Sequence, residues 1–245
     1  MTDVSQANFS EDCLARMRRV TTATLTTQLF KRGLRNTFMR GVRPLGHYGA
    51  NLVGPAFTLR NIPAREDIDV VEGFANPEHP QRKAIETVPA GHVLVVDCRG
   101  ETAAASGGEI LMTRLFKRGV AGMVSDGGVR DSAPIALLAM PVFCAGPSAP
   151  LNLAVHHATE LQVPIGCGGV AVYPGDLIVG DADGVVVVPA HLADEIAREA
   201  EEQELLEAFV LTRIQQGAKL PGTYPPNAET RAAYEAWRAT QGVAP

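Results

Sequence analysis

The sequence predicts an α/β fold, and three stretches carry the prediction. Val93–Asp97 (VLVVD) is a short, unbroken apolar run ending in an acid, which suits a strand covered on both faces. Residues 109–118 place Ile110, Leu111, Leu115 and Phe116 at helical spacing and close on Lys117, Arg118 and Gly119, a good stop signal. Residues 120–125 form a second buried-strand run. Strand, helix, strand at this length is a βαβ unit, with parallel strands and a right-handed crossover.

The remaining elements follow in chain order. Residues 1–10 are polar and expected to be poorly ordered. Residues 11–19 (EDCLARMRR) set acids first and bases last, complementing a helix dipole, with Leu14 and Met17 on one face. Residues 21–30 are Thr-rich: Thr is common near a helix start, but so many β-branched side chains weaken a helix. Residues 31–43 (KRGLRNTFMRGVR) are a basic cluster, read first as a solvated loop or subunit contact and second as the source of an Arg for a substrate's distal carboxylate. Residues 51–60 (NLVGPAFTLR) read as a strand with a bulge or edge at Gly54 and Pro55. Residues 67–74 could start a helix, and residues 76–82 (NPEHPQR) read as a loop with an exposed His79.

After the central unit, residues 132–140 (SAPIALLAM) predict a helix with Pro134 in its first turn. Residues 141–146 (PVFCAG) predict another parallel strand. His156 and His157, being adjacent, point in different directions; they make a poor metal pair and read as surface or interface residues. Residues 170–189 alternate three apolar runs with Pro-Gly-Asp and Asp-Ala-Asp-Gly turns, which predicts an antiparallel meander. Asp181 and Asp183 lack the ligand pattern and final Glu of a calcium loop and read as turn formers. Residues 191–216 predict a long helix with an apolar stripe (Ile196, Ala200, Leu205, Phe209, Leu211) and a dense acidic set that includes Glu204 and Glu207. Residues 221–245 form an arm, with a short amphipathic piece around Tyr234 and Trp237, expected to pack on a neighbouring subunit.

Length and composition bound the function. No long linker divides the 245 residues, so a single domain is expected, with a helical segment at 11–30 and a C-terminal helix plus arm at 191–245. The net charge of -5 argues against a nucleic-acid partner. No apolar run is long enough for a membrane span and no signal-peptide pattern opens the chain, so a cytoplasmic location is expected. Cys13, Cys98, Cys144 and Cys167 have no zinc spacing and read as small buried hydrophobes.

In an open α/β sheet, ligands bind beyond the carboxyl ends of the strands. Two loops should meet there. Ser106-Gly107-Gly108 opens a helix whose free N–H groups favour an anion, and the glycines let a ligand approach closely. Residues 126–131 (DGGVRD) bring Arg130 and Asp131 to the same rim, where they join Glu109. Asp131 could equally be an N-cap for the following helix, with Arg130 as its ion-pair partner.

These residues also carry a resemblance. The sequence GGEI followed by GVAGMVSDGGVRD, and the later PGDLIVGDADGVVVVP, are similar to the RraA-like family, which includes divalent-metal-dependent 4-hydroxy-4-methyl-2-oxoglutarate / 4-carboxy-4-hydroxy-2-oxoadipate aldolases; the similarity spans residues 21–207. The resemblance implies a layered α/β/β/α sandwich like a swivelling domain, a homotrimer or homohexamer, and a helix over the Thr-rich stretch. It also implies a class II pyruvate aldolase that acts on a small 2-oxo acid and can decarboxylate oxaloacetate. Asp131 would ligate Mg²⁺ or Mn²⁺, and backbone N–H groups of Gly107, Gly108, Glu109, Ile110 and Leu111 would hold the substrate carboxylate. Arg130 would bind the keto oxygen, and Glu109 would position the water that acts as base. Glu204, with Glu207 behind it, would reach a neighbouring subunit's metal. Many related aldolases have Asp where this chain has Glu109, which shifts the carboxylate by about one methylene. With no lysine in the two loops, a Schiff-base route is disfavoured. The family's other implied activities are a ribonuclease-binding regulator and a sugar-acid aldolase or dehydratase.

Overall fold

The computed structural model describes residues 9–240, so the expected disorder of residues 1–8 and the last five residues of the arm lie outside the described residues. The elements are, in order, α1 (Glu11–Met17), α2 (Thr22–Lys31), β1 (Arg43–Pro44), β2 (Leu52–Pro63), α3 (Pro80–Thr87), β3 (Val93–Asp97), α4 (Glu109–Lys117), β4 (Gly122–Ser125), β5 (Gly128–Val129) and α5 (Ser132–Ile135). There follow β6 (Val142–Cys144), β7 (Gly146–Pro147), β8 (His156–Leu161), β9 (Ile165–Cys167), β10 (Val170–Val172), β11 (Leu177–Gly180), β12 (Val185–Val188), α6 (Ala193–Gln215), α7 (Leu220–Thr223) and α8 (Ala228–Thr240). Among the described residues, no helix is long and apolar enough to cross a membrane.

The βαβ prediction holds: β3 and β4 pair in parallel, with Val93 opposite Gly122 and Val96 opposite Ser125, and α4 connects them. β2 and β6 extend the parallel set on either side. The main sheet runs β1-β6-β4-β3-β2-β11-β12, with β8 also on β2. Its two halves face each other. Val93, Val95 and Val124 from the parallel half share one buried cluster with Ile178, Val185 and Val187 from the β11–β12 hairpin. Outside the parallel half, Leu94, Val96 and Met123 pack with Met112 and Leu115 of α4 and Ala84 and Ile85 of α3. Outside the hairpin, Leu177, Val179, Val186 and Val188 pack on α1, α2 and α6. Helix, sheet, sheet, helix is the α/β/β/α order, and the unbroken Val185–Val188 run is apolar because both its faces are covered.

β2 joins the layers. Leu52–Pro55 pairs with β11, residues 56–60 with β3, and residues 59–63 with β8. This corrects the expected bulge or edge at Gly54 and Pro55. The strand is interior, and its irregularity lies between Arg60 and Asn61. Pro55 sits where the pairing changes from β11 to β3, a place that tolerates a missing N–H. A Cβ at Gly54 would stand 2.4 Å from Gly91 O, so close backbone approach explains that glycine.

Other expectations are refined. The Thr-rich stretch is helical, since Thr21 caps α2 by accepting from Thr24 N, and Leu25 and Leu29 are buried. Residues 67–74 yield a 3-10 helix at Val71–Ala75, and the helix expected over residues 132–140 is only the single turn α5. Of the meander, β11 and β12 form the hairpin, whereas β10 pairs with β9 in a separate ribbon. The arm packs on its own chain: Tyr234 and Trp237 of α8 lie 5.7 and 5.5 Å from the Phe209 ring of α6, and Arg238 pairs with Glu202.

Candidate active site

The two rim loops meet because the backbone ties them together. Ala105 and Gly128 form a parallel bridge. Ser106 donates to Gly128 O twice, from its N–H at 2.7 Å and its hydroxyl at 2.9 Å, and Arg130 N donates to Gly107 O at 3.0 Å. From α3, Gln81 Nε2 donates to Ser106 O at 2.8 Å. Below the rim, Asp126 accepts from Cys98 N, Gly100 N and Gly168 N, anchoring the loop after β3.

Helix α4 begins from Gly108, an extended residue with no side chain to cap the helix. The N–H groups of Glu109, Ile110 and Leu111 therefore lack intrahelical acceptors; Met112 N is already inside, bonded to Gly108 O at 3.1 Å. Asp131 Oδ2 lies 3.3 Å from Glu109 N and 3.5 Å from Arg130 Nε. A Cβ on residue 108 would fall 2.7 Å from Asp131 Oδ2 and 2.8 Å from Arg130 Cγ, so only a bare backbone lets these groups converge. Asp131 holds a left-handed conformation (φ 56°, ψ 41°) that costs about 1–2 kcal/mol in most residues and less in Asp. It occupies the N-cap position of α5, yet its carboxylate caps nothing there. The side chain turns to α4 instead.

These groups open on a cavity of about 260 Å³, lined by Gly107, Gly108, Ile110, Leu111, Arg130 and Asp131, together with Phe74, Gln81, Arg82 and Asn152. Larger hollows exist elsewhere, such as one of about 590 Å³ beside α2, which holds none of these side chains. The Glu109 side chain is exposed and does not line the cavity. Glu204 is far along α6 and is engaged within its own chain, accepting from Thr21 N at 2.9 Å and Thr21 Oγ1 at 2.8 Å. The basic cluster contributes nothing to this cavity from the same chain: Arg32 pairs with Glu195 and Glu199, Arg35 stacks on Phe30, and Arg43 stacks on Phe38.

The guanidinium that does join Arg130 is Arg82, which the loop reading of residues 76–82 missed. Pro80 was the available signal: it occupies the first turn of α3 and so places Gln81 and Arg82 on a helix rather than in a loop. Arg82 lies 4.2 Å over the Phe74 ring, and burial lowers its pKa. His79 is half-buried rather than exposed, edge-on to Phe74 at 5.2 Å, with its pKa lowered by burial and then by Arg82. His156, expected at the surface or at an interface, is buried within its own chain, 1% exposed; burial and then Arg99 lower its pKa. His157 Nδ1 pairs with Asp69 Oδ1 at 2.7 Å, so the adjacent histidines do point apart. All four cysteines are free and buried, and burial pushes the Cys98 thiol up to about 12.

Among the described residues, no three His, Cys, Asp or Glu side chains gather as a metal cage. A hard divalent cation that keeps most of its waters needs only one or two carboxylates. The Asp131 carboxylate, 43% exposed at the cavity, is chemically suited to that, with Glu109 beside it in sequence-distant contact through its N–H.

Comparison with known proteins identifies the family. The family model RraA-like (Aldolase/RraA) matches residues 22–187. A protein of Halalkalibacterium halodurans, provisionally named 4-hydroxy-4-methyl-2-oxoglutarate aldolase, is 31% identical over 204 residues, covering 82% of this chain and 87% of that one. The crystal structure of Streptomyces coelicolor RraAS2, described as an unusual member of the RNase ES inhibitor RraA family, superimposes with a TM-score of 0.72 at 32% identity, covering 82% of this chain and 96% of that one. An uncharacterized protein from Pseudomonas syringae pv. tomato superimposes with a TM-score of 0.74 at 26% identity, over 88% and 98% of the two chains. The chain belongs to the RraA-like family.

Proposed function

We propose that the protein is a metal-assisted lyase that cleaves a 4-hydroxy-2-oxo acid into pyruvate and a carbonyl compound, and that it also decarboxylates oxaloacetate. The observation that carries this reading is the convergence of Arg130 and Asp131 on the uncapped start of α4 in one small cavity. A Mg²⁺ or Mn²⁺ held by Asp131, largely through water, would supply Lewis-acid polarisation of the 2-keto oxygen. The N–H groups of Ile110 and Leu111 bind the 1-carboxylate, aided by the helix dipole. Arg130 donates to the keto oxygen and holds the negative charge that develops there when the C3–C4 bond breaks. The 4-hydroxyl proton leaves through a water to Glu109, whose exposed position at the helix start permits a relay rather than direct contact. Protonation of the enolate at C3 gives pyruvate. Oxaloacetate reaches the same enolate by losing carbon dioxide.

By the same reading the protein assembles as a trimer or hexamer, with the exposed Ile110 at the cavity mouth available to a neighbouring subunit. A second reading, a ribonuclease-binding regulator, draws on the description of the Streptomyces coelicolor neighbour. A panel of 4-hydroxy-2-oxo acids, assayed for pyruvate with Mg²⁺ and with chelator, tests the proposal. Metal-dependent release supports the lyase; no release from any member, with or without metal, sinks it.

A further inference from the structure

Asn152 carries a buried amide that the chain itself does not pair. The residue is 5% exposed and opens the 3-10 turn Asn152–Ala154 between β7 and β8. Its backbone carbonyl is used, accepting from Val155 N at 3.1 Å. Its side chain makes no hydrogen bond among the described residues, although Gln81, Arg82, Arg130 and Asp131 share the cavity wall with it. Unlike Gln81 Oε1, which is closed off without a partner, neither polar atom of the Asn152 side chain is sealed. An amide so placed is costly in a folded chain unless water or a ligand pairs with it.

The fold fixes this residue against both rim loops. Ser148 N donates to Val129 O at 2.8 Å, next to Arg130, and Ala105 N donates to Pro150 O at 3.0 Å, just ahead of Gly107. β5 and β7 pair in parallel at the foot of the same loop. Asn152 is therefore tied into the rim that holds Arg130 and the α4 start.

A carboxamide is neutral and offers both a donor and an acceptor, which suits a hydroxyl. In the lyase reading the 1-carboxylate and the keto oxygen are taken by the α4 N–H groups and Arg130, and the 4-hydroxyl is left without a protein donor. We propose that Asn152 Nδ2 donates to the 4-hydroxyl oxygen of the substrate, making Asn152 a catalytic residue for cleavage that gives no help to decarboxylation. The inference rests on the lyase reading for which hydroxyl is held. As the hydroxyl proton passes through water to Glu109, the electron pair left on oxygen forms the new carbonyl. The C3–C4 pair moves into the pyruvate enolate, which takes up a proton at C3. Asn152 faces the oxygen that gains negative charge in this step and stays bonded to the carbonyl oxygen formed. Oxaloacetate has no such hydroxyl, and its departing carboxylate loses charge as it becomes carbon dioxide.

The test compares the two reactions and adds a binding readout. With Mg²⁺, kcat/KM for pyruvate release is measured from 4-hydroxy-2-oxoglutarate and from oxaloacetate, in the wild type and in Asn152→Leu, which keeps the bulk and cannot hydrogen-bond. The ratio of cleavage to decarboxylation should fall about 10–100-fold, the range of one hydrogen bond to a charged group. An unchanged ratio, or an equal loss of both reactions, overturns the proposal. Titration calorimetry with Mg²⁺ sets 2,4-dihydroxybutanoate against 2-hydroxybutanoate, a pair that differs only in the 4-hydroxyl and, lacking a keto group, is not cleaved. The wild type should favour the first about 3–10-fold, and Asn152→Leu should not. No preference in the wild type means an amide served by water only and also overturns the proposal. Thermal unfolding identifies a folding failure, in which case Asn152→Ala takes the place of the Leu variant under the same outcomes. A hydroxyl preference that depends on Asn152, in a protein that cleaves no 4-hydroxy-2-oxo acid, upholds the hydroxyl contact and removes only the lyase reading.

Discussion

Two helix starts in this molecule differ in what covers them. At α2, Thr21 Oγ1 accepts from Thr24 N, Asp181 accepts from Thr22 N at 2.7 Å and Thr22 Oγ1 at 2.8 Å, and Glu204 accepts from Thr21 N. The chain has supplied its own anions, and that helix end is finished. At α4, Gly108 offers no cap, and one carboxylate oxygen stands 3.3 Å from one N–H. The remaining donors face a cavity. The difference teaches that a helix terminus becomes a candidate anion site only where the fold withholds its own carboxylates, and that Asp181, beyond forming a turn, is a structural cap.

The comparison can be broken, starting with the largest expected effect. Arg130→Ala should lower kcat/KM for pyruvate release by about 10²–10³-fold, as for loss of a donor to a developing oxyanion, with little change in Tm. Equal activity in that variant would place the chemistry elsewhere. Gly108→Ala should cost about 10²-fold, because the new methyl meets Asp131 and Arg130 at 2.7 and 2.8 Å and moves both; steady-state kinetics with matched thermal scans check it. At the other helix the signs reverse. Asp181→Asn should lower unfolding free energy by about 1–2 kcal/mol in denaturant titration, through weakened capping and dipole compensation, and leave kcat unchanged. Glu204→Gln should behave likewise with a smaller loss, below about 1 kcal/mol. A fall in metal-dependent kcat for Glu204→Gln would instead assign that acid to a neighbouring subunit's site.

The last effect concerns pH. Burial lowers the folded-state pKa of His156 and of His79, so the unfolded chain binds protons first as pH falls. Their contribution to stability is complete above the unfolded value of about 6.5 and is lost below it, as pH falls toward the lowered folded values. His156→Asn should flatten that acid limb, by no more than about 1.4 kcal/mol per pH unit, in unfolding curves between neutral and mildly acidic pH. Asp97 and Asp176 act with the opposite sign, since burial raises both; their contribution is present below the unfolded value and is lost as pH rises through the folded one. An acid limb identical in wild type and His156→Asn would mean that residue is not buried in solution.

What the sequence determined by itself was local and periodic. Unbroken apolar runs specified buried strands, the α4 periodicity and its Gly119 stop specified the crossover, and DGGVRD brought Arg130 and Asp131 to the rim beyond β4, because these signals depend on neighbours within a few residues. Tertiary structure decided everything that depends on which distant segments meet. Asp181 and Glu204 are acids among many in the sequence; they became caps only because α2 lies against β11 and α6. His156 lost its expected exposure once β8 paired with β2. Arg82 entered the cavity because Pro80 starts a helix whose Gln81 is fastened to Ser106, twenty-five positions away. No periodicity encodes that distance, since long-range contacts are fixed by burial of whole faces rather than by spacing along the chain.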